Sequence, residues 1–152
     1  MPMKLHKDVH EFVELCLFLK VEFLLVGGYA LAFHGAPRFT EDIDLMILVS
    51  PENADRLTVA LDRFGFGNAG IRREDFLNPG QVIQLGRAPN RIDLLTGISG
   101  VTWEEAWESR TPVSLDGLEI HAIGKAELMR NKEATGRPQD LADVARLRKI
   151  QS

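Results

Sequence analysis

The chain has 152 residues, of which 45% are hydrophobic and 26% charged, with a formal net charge of −4. That is enough chain to bury one core. No apolar run is long enough to cross a bilayer, and the mildly acidic balance does not suit an extensive polyanion footprint. One cysteine, Cys16, in an apolar helical stretch excludes an internal disulfide and suits a buried thiol in a reducing cytoplasm.

The amino terminus, MPMKLHKDVHEFVELCLFL, carries a short apolar run broken by Glu11 and Glu14, unlike a signal peptide, and reads as a helix. His6 and His10 stand four apart there, but without an H-E-x-x-H pattern or a second cysteine they read as one helix face, not a zinc site. Val21 to Val26, VEFLLV, reads as a short buried strand, and Tyr29 to Phe33, YALAF, as the body of a helix over 28–34. Gly27-Gly28 thus falls at a strand-to-helix junction. Glycine there permits positive φ and close ligand approach, while the free N–H groups of a helix start attract anions. Ordinary turns also use Gly-Gly; its place before a helix and ahead of an acidic strand marks this pair as a phosphate cradle. His34 is read as packing or capping the short helix.

The next strand is read over 42–49, DIDLMILV. Side chains alternate along it, so Asp42 and Asp44 share a face with Cα atoms roughly 6–7 Å apart, and Ile43, Leu45 and Ile47 take the other. Apolar residues fill the aspartate face farther along, which leaves the acidic end as the strand's exposed mouth. Two carboxylates so close raise one pKa unless something neutralises them, and Mg²⁺ or Mn²⁺ is the natural neutraliser. A lone D-x-D also occurs as a cap or loop feature. Upstream, Arg38 either reaches phosphates bidentately or pairs with Glu41 on the surface, and Thr40 is placed to order the loop before Asp42. Glu41 itself reads as solvated.

A helix over 52–64 follows, then a segment without clear pattern, then strands near 81–86 and 90–96 separated by the turn-prone GRAPN of 86–90. Asp93 lies inside the second of these, in Arg91-Ile92-Asp93-Leu94-Leu95. An acid within an apolar strand is costly without a partner, and a neighbouring strand carrying Asp42 and Asp44 gives it a reason. Two metals about 3.5–4 Å apart require such a third carboxylate; a structural hydrogen bond is the plainer alternative. Trp103 and Trp107 pack one face of a short helix, or else offer a partner surface or stack on a base. Strands over 111–115 and 118–122 form a hairpin about Asp116-Gly117.

In the tail, Ala126 to Ala134 is helix-compatible, Gly136 suits a helix C-terminal cap, and Pro138 suits the first turn of another helix with Asp140 in it. Residues 121–152 carry a net +3 and residues 1–120 a net −7. A mildly basic helix pair of this kind attracts triphosphate or an RNA acceptor, and its Arg146, Arg148 and Lys149 also simply suit a helix C-terminus.

Gly27-Gly28, then Asp42-Ile43-Asp44, then Ile92-Asp93-Leu94 together resemble the pattern of the DNA polymerase beta type nucleotidyltransferase superfamily. Arg38-x-Thr40-x-Asp42-Ile43-Asp44 resembles its minimal members. Asn131-Lys132, Gly136-Arg137-Pro138-Gln139-Asp140 and Asp143 are similar to a motif of bacterial minimal nucleotidyltransferases and the AbiEii-type toxin group. The resemblance implies an α/β (α+β) fold with a mixed sheet flanked by helices, in one domain over 1–152 with a core at about 21–122 and a helix pair at about 124–150. It implies transfer of an NMP from an NTP to an acceptor hydroxyl of tRNA or other RNA, protein or a small molecule, in a toxin-antitoxin or defence setting with a cognate antitoxin or other partner. Asp42, Asp44 and Asp93 would hold Mg²⁺ or Mn²⁺. Gly27, Gly28 and the following amide of Tyr29 would hold the phosphates with Arg38 and Thr40; Lys132 would contact triphosphate; and Asp140 would orient a substrate group or act as base. A cytoplasmic location and no membrane contact are expected. A non-catalytic nucleotide- or partner-binding module with the same fold is the alternative.

Overall fold

A computed structural model describes residues 5–38, 40, 42–67, 69–87 and 90–150. Glu41, the Ala88-Pro89 part of the GRAPN turn and the first four residues lie outside the described residues. In chain order the elements are α1 (Lys7–Phe18), β1 (Phe23–Val26), α2 (Gly27–Phe33), β2 (Ile43–Ile47), α3 (Pro51–Phe64), a 3-10 turn (Arg73–Phe76), β3 (Val82–Leu85) and β4 (Ile92–Leu95). They continue with α4 (Trp103–Glu108), β5 (Thr111–Leu115), β6 (Leu118–Ala122), α5 (Lys125–Thr135) and α6 (Pro138–Arg148).

The strands form one mixed six-stranded sheet in the order β3-β4-β2-β1-β6-β5. β1 runs antiparallel to β2 with Val26 opposite Asp44, and β4 runs parallel to β2 with Asp93 opposite Asp44. Leu24, Leu25, Ile43, Leu45, Ile47 and Leu94 are almost fully buried, so the central strands are apolar on both faces away from the acids. The mixed α+β architecture expected from the sequence is the one observed.

Local chemistry sets the boundaries. α1 ends in a Schellman motif: the Val21 N–H donates to Cys16 O at 2.9 Å and the Lys20 N–H to Leu17 O at 3.1 Å. Lys20 occupies the left-handed position, φ 62°, that glycine usually takes. Val21 is thereby committed to the cap, which is why β1 begins at Phe23 and not at residue 21. α3 opens with Pro51 at its first turn and Ser50 as N-cap, whose Oγ accepts from the Asn53 N–H at 3.1 Å. Asp116 and Gly117, both at positive φ, close the β5–β6 hairpin as expected.

His6 caps α1 by accepting the Asp8 N–H at Nδ1, while His10 Nε2 lies 3.0 Å from Asp116 O; the two serve separate structural ends. His34 ends α2 and reaches Ile123 O at 2.7 Å. Trp103 and Trp107 stack on each other at 5.4 Å, with the Arg110 guanidinium 4.0 Å over the Trp107 ring and His121 of β6 at 5.9 Å from it, so both rings are engaged by the protein's own side chains. Burial pushes the Cys16 thiol up to about 12, as befits a core residue.

Candidate active site

Two strand registers build the acidic centre. Pairing of β2 with β4 sets Asp44 directly beside Asp93, on the same face of neighbouring strands. Asp42 precedes β2 on that face, in a loop held by Thr40, whose Oγ1 accepts the Asp42 N–H at 3.3 Å. Burial, then the charges of Asp93 and Asp42, raise the Asp44 carboxyl to about 7, with Arg91 only partly offsetting them. The crowding that the D-x-D spacing implied is thus present, and it falls on Asp44.

Gly27 opens α2 at φ +68° directly against this carboxylate, and a Cβ there would collide with Asp44 Oδ2. A Cβ on Gly28 would come within 3.0 Å of Thr40 Oγ1. Val26 offers no side-chain cap, and among the described residues the first amides of α2 have no side-chain acceptor. The glycine pair is therefore a steric requirement: the chain must pass this close for the helix start to face the acids.

Arg91 is the residue that sequence reasoning passed over. Its Nη2 meets Asp42 Oδ2 at 2.6 Å, and its Nε and Nη2 meet the Asp93 carboxylate at 2.9 and 3.1 Å. The signal was available, because Arg91 and Asp93 are two apart and share a strand face by the same alternation that joins Asp42 and Asp44. Among the described residues Asp42 Oδ1 is left buried without a hydrogen-bond partner. That orphaned oxygen, beside the hard donors of Asp44 and Asp93, fits a hard divalent cation. Among the described residues no three acid, histidine or thiol side chains are already gathered into a cage; the guanidinium lies between two of the acids instead.

The helix pair supplies the facing wall. Lys132, 6% exposed, sits on α5 with Nζ 3.0 Å from Asp143 Oδ2 and 3.5 Å from Asp140 Oδ1. Arg38 Nε approaches Asp143 Oδ1 at 3.3 Å, without hydrogen-bond alignment. Arg38 therefore faces the helix pair, and its pairing with Glu41 lies outside the described residues. Burial works to raise the Asp140 carboxyl, but hydrogen bonds from Arg137 and Thr135 and the charge of Lys132 outweigh it and hold it at about 2. So acidic a group is a poor base, which favours the orienting member of the two roles considered for Asp140. Arg137 and Asp143 had no role assigned from sequence; Asp143 lies three residues from Asp140 and hence on the same helix face.

Asp42, Asp44, Asp93, Gly27, Gly28, Arg38, Thr40, Lys132 and Asp140 all line one cleft of about 470 Å³. Tyr29 does not; its half-buried phenol is raised by burial first and by Asp42 second. Beyond Asp93 the cleft becomes apolar. Val82, 54% exposed, is paired with Leu95 on the face that carries the acids, and Ile98 completes the surface.

The chain matches the family model described as "Nucleotidyl transferase AbiEii toxin, Type IV TA system" over residues 15–123. That span holds the glycine pair and all three acids but stops before Lys132 and Asp140. No curated relative matches the chain. Among solved structures it is similar to the lincosamide antibiotic adenylyltransferase LnuA, lincomycin-bound, with TM-score 0.57 and 11% identity, covering 98% of this chain and 100% of that one. It is also similar to the antibiotic-resistance factor ANT(2'')-Ia, with TM-score 0.55 and 14% identity over 92% and 80% of the two chains. An antigenic nucleotidyltransferase-like protein from Paracoccidioides brasiliensis gives TM-score 0.52 and 18% identity over 92% of this chain and 74% of that one. At these identities the likeness speaks for the fold alone.

Proposed function

The chain belongs to the AbiEii nucleotidyl transferase toxin family, and from that premise we propose that residues 1–152 form one catalytic domain that moves an NMP from an NTP to an acceptor hydroxyl with the help of Mg²⁺ or Mn²⁺. The observation that carries this is the convergence of Asp42, Asp44 and Asp93 beside the uncapped start of α2. The acceptor oxygen attacks the α-phosphorus, the bond from that phosphorus to the bridging oxygen breaks, and pyrophosphate leaves; the acceptor proton passes to Asp93 or solvent. A divalent ion bound by the acids would neutralise phosphate charge and activate the attacking oxygen.

The remaining work is positioning. The amides of Gly27, Gly28 and Tyr29, with Thr40 at their side, receive the phosphates, and Arg38 and Lys132 balance their charge. In-line attack brings the acceptor from the side opposite the leaving pyrophosphate, hence past Asp93 and over Val82, Leu95 and Ile98. Asp140 orients a substrate group, and Lys132 is held by Asp143 at 3.0 Å and Asp140 at 3.5 Å. A cytoplasmic toxin with a cognate antitoxin is the setting we infer from the family.

A second reading, a nucleotide- or partner-binding module without turnover, is favoured by one observation: Arg38, Arg91, Lys132 and Arg137, which line the cleft, are all paired with the protein's own acids. Incubation with each NTP labelled at the α-phosphate, a divalent metal and a host RNA and protein extract separates the two. Label entering RNA or protein with the wild type but not with Asp44→Ala supports transfer and identifies the acceptor class. Nucleotide binding with no labelled product from extract or small molecules favours the module.

A further inference from the structure

We propose that Arg91 is the resident counter-cation of the acid site, which occupies the position between Asp42 and Asp93 until a metal–triphosphate arrives, and so makes the free protein a weak binder of divalent metal. The inference rests on the metal-dependent reading above and concerns the order in which that site fills.

In the space between Asp42 Oδ2 and Asp93 Oδ2, occupancy by Arg91 and by an ion are mutually exclusive. One nitrogen, Nη2, touches both Asp42 Oδ2 at 2.6 Å and Asp93 Oδ2 at 3.1 Å. An ion bridging those two oxygens would stand about 2.0–2.1 Å from each, in the space that nitrogen fills. Arg91 is built to leave. Its carbonyl accepts the Ile43 N–H at 3.2 Å, which pins the backbone, while its side chain is 31% exposed and has a path to solvent. The cleft to which it opens is the one lined by Gly27, Gly28 and Lys132, so a triphosphate there offers the displaced guanidinium a new bidentate anion.

Three consequences follow from that exchange. Free metal must displace a charge-assisted fork and gains little. Metal together with triphosphate loses nothing, because Arg91 exchanges carboxylate for phosphate. The two ligands are therefore positively coupled through Arg91, and each strengthens the other by the same factor.

The test is titration of the free protein with Mn²⁺, read by the electron paramagnetic resonance of the unbound ion. Arg91→Gln is expected to bind Mn²⁺ at least about tenfold more tightly than the wild type, within the usual range of such couplings, and the double variant Arg91→Gln/Asp44→Asn is expected to lose the gain. Should Arg91→Gln fail to fold, Arg91→Lys, which keeps the charge without the fork, should still bind several-fold more tightly than the wild type. Equal or weaker Mn²⁺ binding by the folded variants, or a gain that survives Asp44→Asn, overturns the proposal. Tighter Mn²⁺ binding by Arg91→Gln alongside a wild type that transfers no label to any acceptor would leave the Arg91 assignment standing and remove the transferase.

Discussion

Asp44 lies beside Asp93 on one strand and two residues from Asp42 on its own, and its carboxyl stands at about 7 because of burial first and those two charges second. In an unfolded chain an aspartate titrates near 3.9. Between about pH 4 and 7 the folded, metal-free protein therefore holds a proton that the unfolded chain has released, so the contribution is complete below pH 4 and is lost as pH rises through 7. Denaturant unfolding with a chelator present should show the wild type losing on the order of 4 kcal/mol more across that window than Asp44→Asn; parallel pH profiles would show that Asp44 does not carry the strain. Gly27 is the matching steric residue. Gly27→Ala drives a methyl into Asp44 at φ +68° and should cut turnover about 100-fold or more while leaving a folded protein, since the damage falls on the positioning of acid and phosphate. Full activity in a Gly27→Ala variant would mean the helix start does not approach the reacting groups. Asp42, Asp44, Asp93 and the glycine pair were legible because strand alternation and glycine's freedom are local rules. Arg91 obeyed the same rule and was still missed, since a cation beside acids reads as a surface pair until its three carboxylate contacts are visible.

At the scale of elements, α3 is tied to the sheet by Asn53, which is fully buried. Its Oδ1 accepts the Glu22 N–H at 2.8 Å, and its Nδ2 donates to Leu48 O at 2.8 Å and Glu22 O at 3.1 Å. These backbone groups flank β1 and β2, the strands that deliver Gly27 and Asp44. Asn53→Ala removes three hydrogen bonds to part-buried backbone groups, leaving the Glu22 N–H and Leu48 O without them, and should cost about 2–3 kcal/mol by denaturant unfolding; a loss under about 0.5 kcal/mol would show that water replaces the amide. Several element bounds followed from the sequence because turn and cap residues announce them: Asp116 with Gly117, Gly136 before Pro138. The exceptions have physical reasons. Val21 looked like strand because it is apolar, yet it closes the helix cap through a non-glycine left-handed residue. The segment after α3 gave no pattern because it holds only a short 3-10 turn, whose buried contribution is Phe76.

For the whole molecule, function rests on a topological fact that no local pattern contains: β1 and β2 lie antiparallel, and the chain then returns through β3 to set β4 parallel to β2. Only that order puts Asp93 beside Asp44, and only the return of α5 and α6 sets Lys132, 6% exposed, on the cleft's other wall. The resemblance to nucleotidyltransferases implied a mixed sheet but not this order, and the apolar strand around Asp93 pointed to a neighbouring acidic strand without fixing which way the two run. The pairs Arg38–Asp143 and Lys132–Asp140 were not legible for the same reason, since they depend on how the helix pair docks, whereas Arg137–Asp140 is a local pair three residues apart. The most direct measurement of the central claim is label transfer from an α-phosphate-labelled NTP by chelator-treated protein, with and without restored Mg²⁺ or Mn²⁺, beside folded Asp44→Ala. Transfer that requires the added metal, releases one pyrophosphate per NMP moved, and falls about 1,000-fold or more in Asp44→Ala is the expected result. Undiminished transfer in the chelated protein or in the folded variant would contradict it.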